Sequence, residues 1–348
     1  MQQIIRISEG FAPLHEEILA RLGITAAKRL GLEYWLFSSE EMLDLAREEA
    51  GLFVRWQMRI DHAWPCVPEK TMDFLDKAVT ALVRKFATVP LQQVMVSPLL
   101  AGSPHPVYKK MASQLQQRLR QEFCPPRAGM DPEEQDPEGL TLFVLLGKEG
   151  LFGAAAAPRA CRGFYAGGSK YISHKAPHSI SRAGAKVAEA LHFLRLHGPA
   201  LPETTHWLEL GASPGGMTAE LLERGFFVTA VDRAPLDARI ASHPRLTFAA
   251  ENALTFQPPR GVLYDALLCD MNGSAEEALA VVLSKRNFLR PGALVIFTLK
   301  THKAAGVEEI LALHHRVLEQ ARRGGLAWLA QTHLTYNRNE FTLFWSAP

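Results

Sequence analysis

The segment Leu208-Glu209-Leu210-Gly211-Ala212-Ser213-Pro214-Gly215-Gly216 constrains the fold of this chain more than any other. It ends an apolar strand, turns through three glycines and a proline, and opens the helix GGMTAELLERG. Glycines at such a crossover admit positive φ and let the main chain approach a ligand closely. The helix start then presents N–H groups that have no partner within the helix. The same rhythm continues downstream. FFVTAVD, RLTFAA, YDALLCD and ALVIFTLK read as strands, and helices are expected over 181–197, 275–289 and 306–323. Repeated strand–helix units of this kind specify a mostly parallel sheet with helices on both faces. LAWLAQTHL and EFTLFWS are expected to close it as an antiparallel edge hairpin.

The spacing of the loop, G-x-x-x-G-G, differs from the G-x-G-x-x-G of dinucleotide-binding proteins. It is not followed by the G-K-[ST] of a phosphate-binding Walker loop. The next strand ends in Asp232. A carboxylate at that place accepts hydrogen bonds from both hydroxyls of a ribose, or else caps a turn. Coupled to the glycine loop, the ribose reading is the better one.

The first half is built differently. Residues 1–65 read as a small α/β subdomain, with strands QQIIRIS, EYWLFSS and LFVRWQMRI. Its helices are HEEILARLG and SEEMLDLAREEAG, the latter capped by Ser39. Residues 66–157 run helix, strand, helix, strand, strand. The helix of 71–87 carries Phe74, Val79, Leu82 and Phe86 on one stripe, and Pro106–Phe123 is amphipathic. TLFVLLG and GLFGAAAA pair across a G-K-E-G turn. Residues 158–180 read as a basic linker, and 181–348 as the parallel-sheet domain.

Charge sharpens this division. The chain of 348 residues has a formal net charge of +2, but residues 1–150 carry −3 and residues 151–348 carry +5. From Gly150 to Ala188 there is no Asp or Glu, while Arg159, Arg162, Lys170, Lys175, Arg182 and Lys186 all fall there. The four cysteines, Cys66, Cys124, Cys161 and Cys269, are too far apart for a zinc or C-x-x-C site. No metal is expected. Neither a signal peptide nor a membrane span is evident, so a soluble, cytoplasmic protein is expected.

Four ordered motifs give the second half a family resemblance. The loop G-A-S-P-G-G resembles the S-adenosylmethionine loop of the FtsJ/RrmJ-type ribose 2′-O-methyltransferases. Ser181-Arg182-Ala183-Gly184-Ala185-Lys186 resembles the family's S-R-x-x-x-K helix. Cys269-Asp270-Met271 and Thr298-Leu299-Lys300 resemble the ends of its fourth and fifth strands. Tyr336-Asn337-Arg338-Asn339-Glu340 resembles the segment that holds its glutamate. The likeness implies a Rossmann-like methyltransferase domain preceded by an α+β THUMP-like RNA-binding region. It implies S-adenosyl-L-methionine as cofactor and RNA as partner, most closely a cytidine of 23S ribosomal RNA. Implied catalytic residues are Lys186, Asp270, Lys300 and Glu340. Implied cofactor residues are Gly211, Ala212, Ser213, Pro214, Gly215, Gly216, Asp232, Asn252 and Asp270.

The chemistry suits those residues. A ribose 2′-hydroxyl is a weak acid and must lose its proton as it attacks a sulfonium methyl, and a neutral lysine among other cations can act as base. Lys300 is the candidate, with Lys186 orienting the hydroxyl and the two carboxylates positioning the amines. Asn252 stands where the family has an Asp that accepts from the adenine amino group, a bond that an amide oxygen can also accept. Glu209, Thr298 and Thr301-His302-Lys303 are further departures. Cys269 as a nucleophile for base methylation is disfavoured, because strand alternation turns it away from Asp270. Arg162, Lys170, Lys175 and Arg182, interleaved with Phe164, Tyr165 and Tyr171, are expected to form an RNA track of cations and stacking rings. Lys109-Lys110 and Arg118–Arg120 extend it or are an ordinary solvated helix face. Two rival functions stay open: a 2′-O-methyltransferase of another RNA such as tRNA, and a non-catalytic RNA-binding ribosome-assembly factor.

Overall fold

The computed structural model describes residues 1–99, 106–124, 135–166, 180–301, 304 and 306–348. The chain divides into two compact units, Met1–Ser169 and Lys170–Pro348.

The first unit holds two four-stranded sheets. In one, β1 (Gln2–Ile7), β2 (Ala27–Leu30), β3 (Tyr34–Ser38) and β4 (Val54–Arg59) lie in the order β2-β3-β1-β4, all antiparallel, with α1 (His15–Arg21) after β1. The second contains β5 (His62–Trp64), β6 (Gln93–Pro98), β7 (Thr141–Gly147) and β8 (Gly150–Ala156) in the order β5-β8-β7-β6. Its helices are α2 (Phe74–Phe86) and α3 (Pro106–Phe123). The apolar stripe of α2 is buried with Leu115 and Leu119 of α3 and Val94, Leu142 and Val144 of the sheet. The short strands β2 and β5 were not visible as patterns in the sequence.

The helix expected over 39–51 does not form; the segment is turns followed by a short 3-10 helix, Glu49–Phe53. Glu40, Asp44 and Glu48 recur at a spacing of four, where like charges repel along a helix. Asp44 instead accepts from Ala46 N, at 3.1 Å, in a local turn. Ser39, expected to cap the helix, is held by the side chain of Gln3, whose Oε1 also accepts from Leu43 N.

The start of the basic stretch is also different from expectation. Cys161, Phe164, Tyr165 and Ala166 are buried in the first unit. Arg162 adopts a left-handed φ of 60° and directs Nη1 to the carbonyl oxygens of Gly51 and Val54, both at 3.1 Å. Arg6 Nη1 donates to Ala166 O at 2.8 Å. Arg162, Phe164 and Tyr165 therefore serve the packing of this unit and do not form an exposed track. Enclosure of its guanidinium lowers the Arg162 pKa to about 10. Lys170, Tyr171 and Lys175 lie outside the described residues.

The second unit is a seven-stranded sheet of order β11-β10-β9-β12-β13-β15-β14. The strands are β9 (His206–Leu210), β10 (Phe227–Val231), β11 (Leu246–Ala249), β12 (Tyr264–Cys269), β13 (Leu289–Lys300), β14 (Ala327–Thr332) and β15 (Glu340–Ser346). The first five run parallel. The closing hairpin is antiparallel as expected, but β15 inserts between β13 and β14, so that of its two strands β14 alone lies at an edge of the sheet. Helices α4 (Ala183–Leu194) and α5 (Gly216–Glu223) share a core with Trp207, Val228, Leu268 and Ile296. Helices α6 (Ala275–Ser284) and α7 (Val307–Arg323) pack on each other and against the sheet. Strand order reverses between β9 and β12, and in open α/β sheets that switch point opens a crevice at the carboxyl ends of the strands.

Replacing Arg162 with Ala removes its donations to the carbonyls of Gly51 and Val54, of which Gly51 O still accepts from Val54 N. A urea melt of Arg162→Ala is expected to show the first unit destabilised by about 1–3 kcal/mol. An unchanged midpoint would overturn the packing role.

Candidate active site

The crevice at the switch point is a cleft of about 350 Å³. The glycine loop forms one wall because its main chain can go where a side chain cannot. Gly211 and Gly215 have φ of 81° and 102°. A Cβ on Gly216 would overlap Ser181 Oγ, and one on Gly184 would stand 2.7 Å from the carbonyl oxygen of Gly216. Backbone therefore meets backbone where α4 crosses the first turn of α5. Two residues beyond that contact is Lys186.

Each expected cofactor residue can now be placed. Gly211, Ala212, Ser213, Pro214, Gly216, Asp232, Asn252 and Asp270 line the cleft, while Gly215 supplies the turn. Asp232 accepts from Ser213 N at 3.0 Å through Oδ2 and from Ala234 N at 2.9 Å through Oδ1. These bonds fix the carboxylate against the loop and leave each oxygen a second lone pair. Asn252 Oδ1 accepts from Leu254 N at 3.0 Å within its own turn, which leaves the amide oxygen a second lone pair. That turn is supported from beneath by Lys285, a buried ammonium donating to Leu254 O at 3.2 Å and Phe256 O at 2.6 Å.

Glu209 lies on the cleft wall with its carboxyl group buried, accepting from Thr218 Oγ1 at 2.7 Å. Burial pushes its pKa up to about 8; the Thr218 bond opposes the shift, and the nearby carboxylates of Asp270 and Asp232 add to it. At neutral pH it is largely a neutral acid.

Of the expected catalytic set, Asp270 and Lys300 line this cleft, and Lys186 and Glu340 join them behind its wall through ion pairs. Asp270 follows β12, its N–H donating to Leu210 O at 3.3 Å. Lys300 ends β13, with Nζ 3.2 Å from Asp270 Oδ1. Glu340 opens β15 directly opposite Lys300 in the antiparallel register. Lys186 forms an ion pair with Glu340 and lies 3.8 Å from Asp270 Oδ2. All four side chains are 14–16% exposed. Two cations thus face two anions, which is the condition for removing so many charges from bulk water.

Other residues hold this arrangement, and the sequence did not single them out for it. Thr301 donates to Asn339 O from N at 2.9 Å and from Oγ1 at 2.8 Å, joining the end of β13 to the start of β15. Glu189, one helical turn after Lys186, accepts from Thr335 N at 2.8 Å and Thr335 Oγ1 at 3.0 Å. It ties α4 to the segment that leads into Glu340. Its spacing from Lys186 was the available signal. Asn272 Oδ1 accepts from Lys300 Nζ at 2.9 Å. Arg182 is exposed at the start of α4, and His302 and Lys303 are outside the described residues. Cys269 is a core thiol, its pKa pushed up to about 12 by burial. Among the described residues no group of three or more His, Cys, Asp or Glu could hold a metal ion, and no helix is long and apolar enough to cross a membrane.

Comparison with known proteins bears on the same unit. Residues 179–319 match the model of the FtsJ-like methyltransferases. The match takes in the glycine loop, Lys186, Asp232, Asp270 and Lys300; Glu340 lies beyond it. Three curated relatives are each called Ribosomal RNA large subunit methyltransferase M. That of Aggregatibacter aphrophilus is 32% identical over 147 residues, 41% of this chain and 40% of that protein. That of Haemophilus influenzae is 31% identical over 194 residues, 51% and 53% respectively. That of Laribacter hongkongensis is 32% identical over 174 residues, 48% of each. The chain spans about half the length of these relatives.

The neutral Glu209 predicts a pH dependence. Its folded pKa of about 8 lies above the ordinary 4.5, so the folded state holds a proton that the unfolded state loses. The stability it contributes is complete below pH 4.5 and declines as pH rises to about 8. Denaturation melts across that range are expected to show the decline, and Glu209→Gln is expected to flatten it.

Proposed function

We propose that this protein methylates a ribose 2′-oxygen in RNA, with S-adenosyl-L-methionine as the methyl donor. The observation that carries the reading is the meeting of Lys186, Asp270, Lys300 and Glu340 beside a glycine-loop cleft. The residues of the cleft suit the donor. Asp232 offers lone pairs to two ribose hydroxyls, the glycine loop offers main-chain contacts, and the turn of Asn252 and Ala253 offers a wall for the adenine. When bound, the donor supplies an electrophilic methyl group on a positively charged sulfur.

The chain's own residues do the rest. Lys300 accepts the 2′-hydroxyl proton on Nζ as the oxygen attacks. Lys186 holds that oxygen by a charge-assisted hydrogen bond, and Asp270 and Glu340 keep the two amines in place. Fixing oxygen, methyl and sulfur in line accounts for much of the acceleration, since effective molarity from such alignment is large.

Large-subunit ribosomal RNA is the proposed substrate, and a cytidine the proposed nucleotide. The names of the relatives support the first, and the family resemblance supports the second. Residues 66–157 are proposed to act as a THUMP-like RNA-binding module. Its helix–strand–helix–strand–strand order supports this, as does the exposed face of α3 bearing Lys109, Lys110, Ser113, Gln114 and Gln117. Of the cations expected along an RNA track, Arg182 remains a proposed contact.

The test is methylation of purified ribosomal RNA with labelled donor, followed by mapping of the modified nucleotide. A methyl group on a base would overturn the reaction class. Lys300→Ala is expected to abolish transfer while changing donor affinity less than about threefold; near-normal turnover would remove Lys300 as base. Asp232→Ala is expected to weaken donor binding by about tenfold or more in calorimetry, and unchanged affinity would refute its ribose role.

A further inference from the structure

Lys300 Nζ faces three oxygens. The main-chain oxygen of Asp270 lies at 3.1 Å, Asn272 Oδ1 at 2.9 Å and Asp270 Oδ1 at 3.2 Å. An ammonium group has three N–H bonds and no acceptor; Asp270 O and Asn272 Oδ1 each accept a hydrogen bond from it, while Asp270 Oδ1 makes an ion-pair contact without a hydrogen bond. The same fact fixes the orientation of the amide: only the oxygen of Asn272 can face an ammonium, and its NH2 group is turned elsewhere.

The three contacts are unequal. Two belong to Asp270, whose main chain is bonded to Leu210 across the sheet. The third comes from an exposed side chain on the cleft wall, two residues further along. Asp270 is also shared with Lys186, which is itself paired with Glu340. Asn272 touches Lys300 without entering the rest of the ionic set.

We propose that Asn272 is a positioning residue for Lys300, aiming Nζ at the substrate hydroxyl and supporting the charge that the amine acquires in the reaction. The inference rests on the reading of Lys300 as the base. As the methyl is transferred, the 2′-O–H bond breaks and its proton bonds to the Nζ lone pair. The oxygen's electron pair forms the new bond to the methyl carbon, and the carbon–sulfur pair returns to sulfur. Lys300 thereby passes from an amine with two N–H bonds to an ammonium with three. The N–H that this step creates points at the substrate oxygen. Asn272 Oδ1 accepts one of the other N–H bonds, which becomes a stronger donor as Nζ acquires charge, and an interaction strengthened along the reaction lowers its barrier.

An amide suits this task better than a carboxylate. The charged groups facing Lys300 are Asp270 at the end of β12, Glu340 on β15 and Lys186 on α4. A third anion would hold the proton on Nζ before reaction and so reduce the supply of base. A residue without an acceptor would leave Nζ poorly aimed. A neutral dipole avoids both faults.

The experiment is a single-turnover pH profile of methyl transfer to ribosomal RNA by the full chain. RNA and labelled donor are saturating, and donor affinity is measured in parallel by calorimetry. Asn272→Ala is expected to lower the plateau rate by about tenfold and to move the acid limb to lower pH. Asn272→Asp keeps an acceptor oxygen and is expected to preserve most of the plateau, while moving the acid limb up by about one pH unit. Donor affinity is expected to stay within about twofold in both variants. Opposite displacement of the limb is a result that a merely structural role would not produce. The proposal is overturned if both variants leave the profile unchanged, if both lower the rate with the limb fixed, or if rate falls only in proportion to donor affinity. Lys300→Ala separates the two levels of the argument. If it remains active, the base assignment fails. If it is inactive while both Asn272 variants behave as the native protein, only the role of Asn272 fails.

Discussion

Two ammonium groups and two carboxylates share one partly buried volume, and the architecture of the second unit follows from that constraint. A single charge removed from water at this depth is costly, and its stability depends on the counter-charges it meets. Lys186, Asp270, Lys300 and Glu340 come from four different elements, so no local segment can satisfy any of them. α4 must lie close enough to α5 for Lys186 to reach Glu340, and the paired glycines 184 and 216 make that distance possible. The sheet must also place Lys300 and Glu340 side by side, which the antiparallel entry of β15 beside β13 achieves.

The cleft beside this set relies on a different kind of order. Its walls are held by main-chain hydrogen bonds: Asp232 to the glycine loop, Asn252 to its own turn, and Lys285 to the carbonyls beneath that turn. Glu209 adds no full charge at neutral pH, because burial keeps its proton on. Glu209 is nonetheless coupled to the ionic end, since the carboxylates of Asp270 and Asp232 add to the rise of its pKa. A charged substrate group entering at one end does not have to compete with a third carboxylate from β9.

Much of this was legible in the sequence, and the failures share a cause. The glycine loop, the alternation of strand and helix, and the four ordered motifs were local patterns, and each led to the right element. The stripe of α2 and the turn between β7 and β8 were equally local. The helix expected over 39–51 failed because a spacing of like charges and the reach of Gln3 outweighed a favourable capping residue. Arg162, Phe164 and Tyr165 read as a surface track because composition does not reveal which carbonyls an arginine will find. The insertion of β15 depended on partner choice across the sheet, which a hairpin pattern leaves open. Asn272, Glu189 and Lys285 went unnoticed because one polar residue acquires its role only from the group placed opposite it.

The position of β15 also ties the ionic set to the completed sheet. The glycine loop, Asp232 and Asp270 belong to strands that pair in parallel within the contiguous stretch of β9 to β13. Lys300 and Glu340 become neighbours only when a distant strand enters between β13 and β14. Contacts between residues far apart in the chain carry a larger loop-closure cost and form late. The pairing of β9 with β12 joins residues at least as far apart in the chain as that of β13 with β15, so the cleft and the ionic set both wait on long-range strand pairing. β15 brings Glu340 to Lys186, so the set of four charged side chains is complete only in the finished sheet.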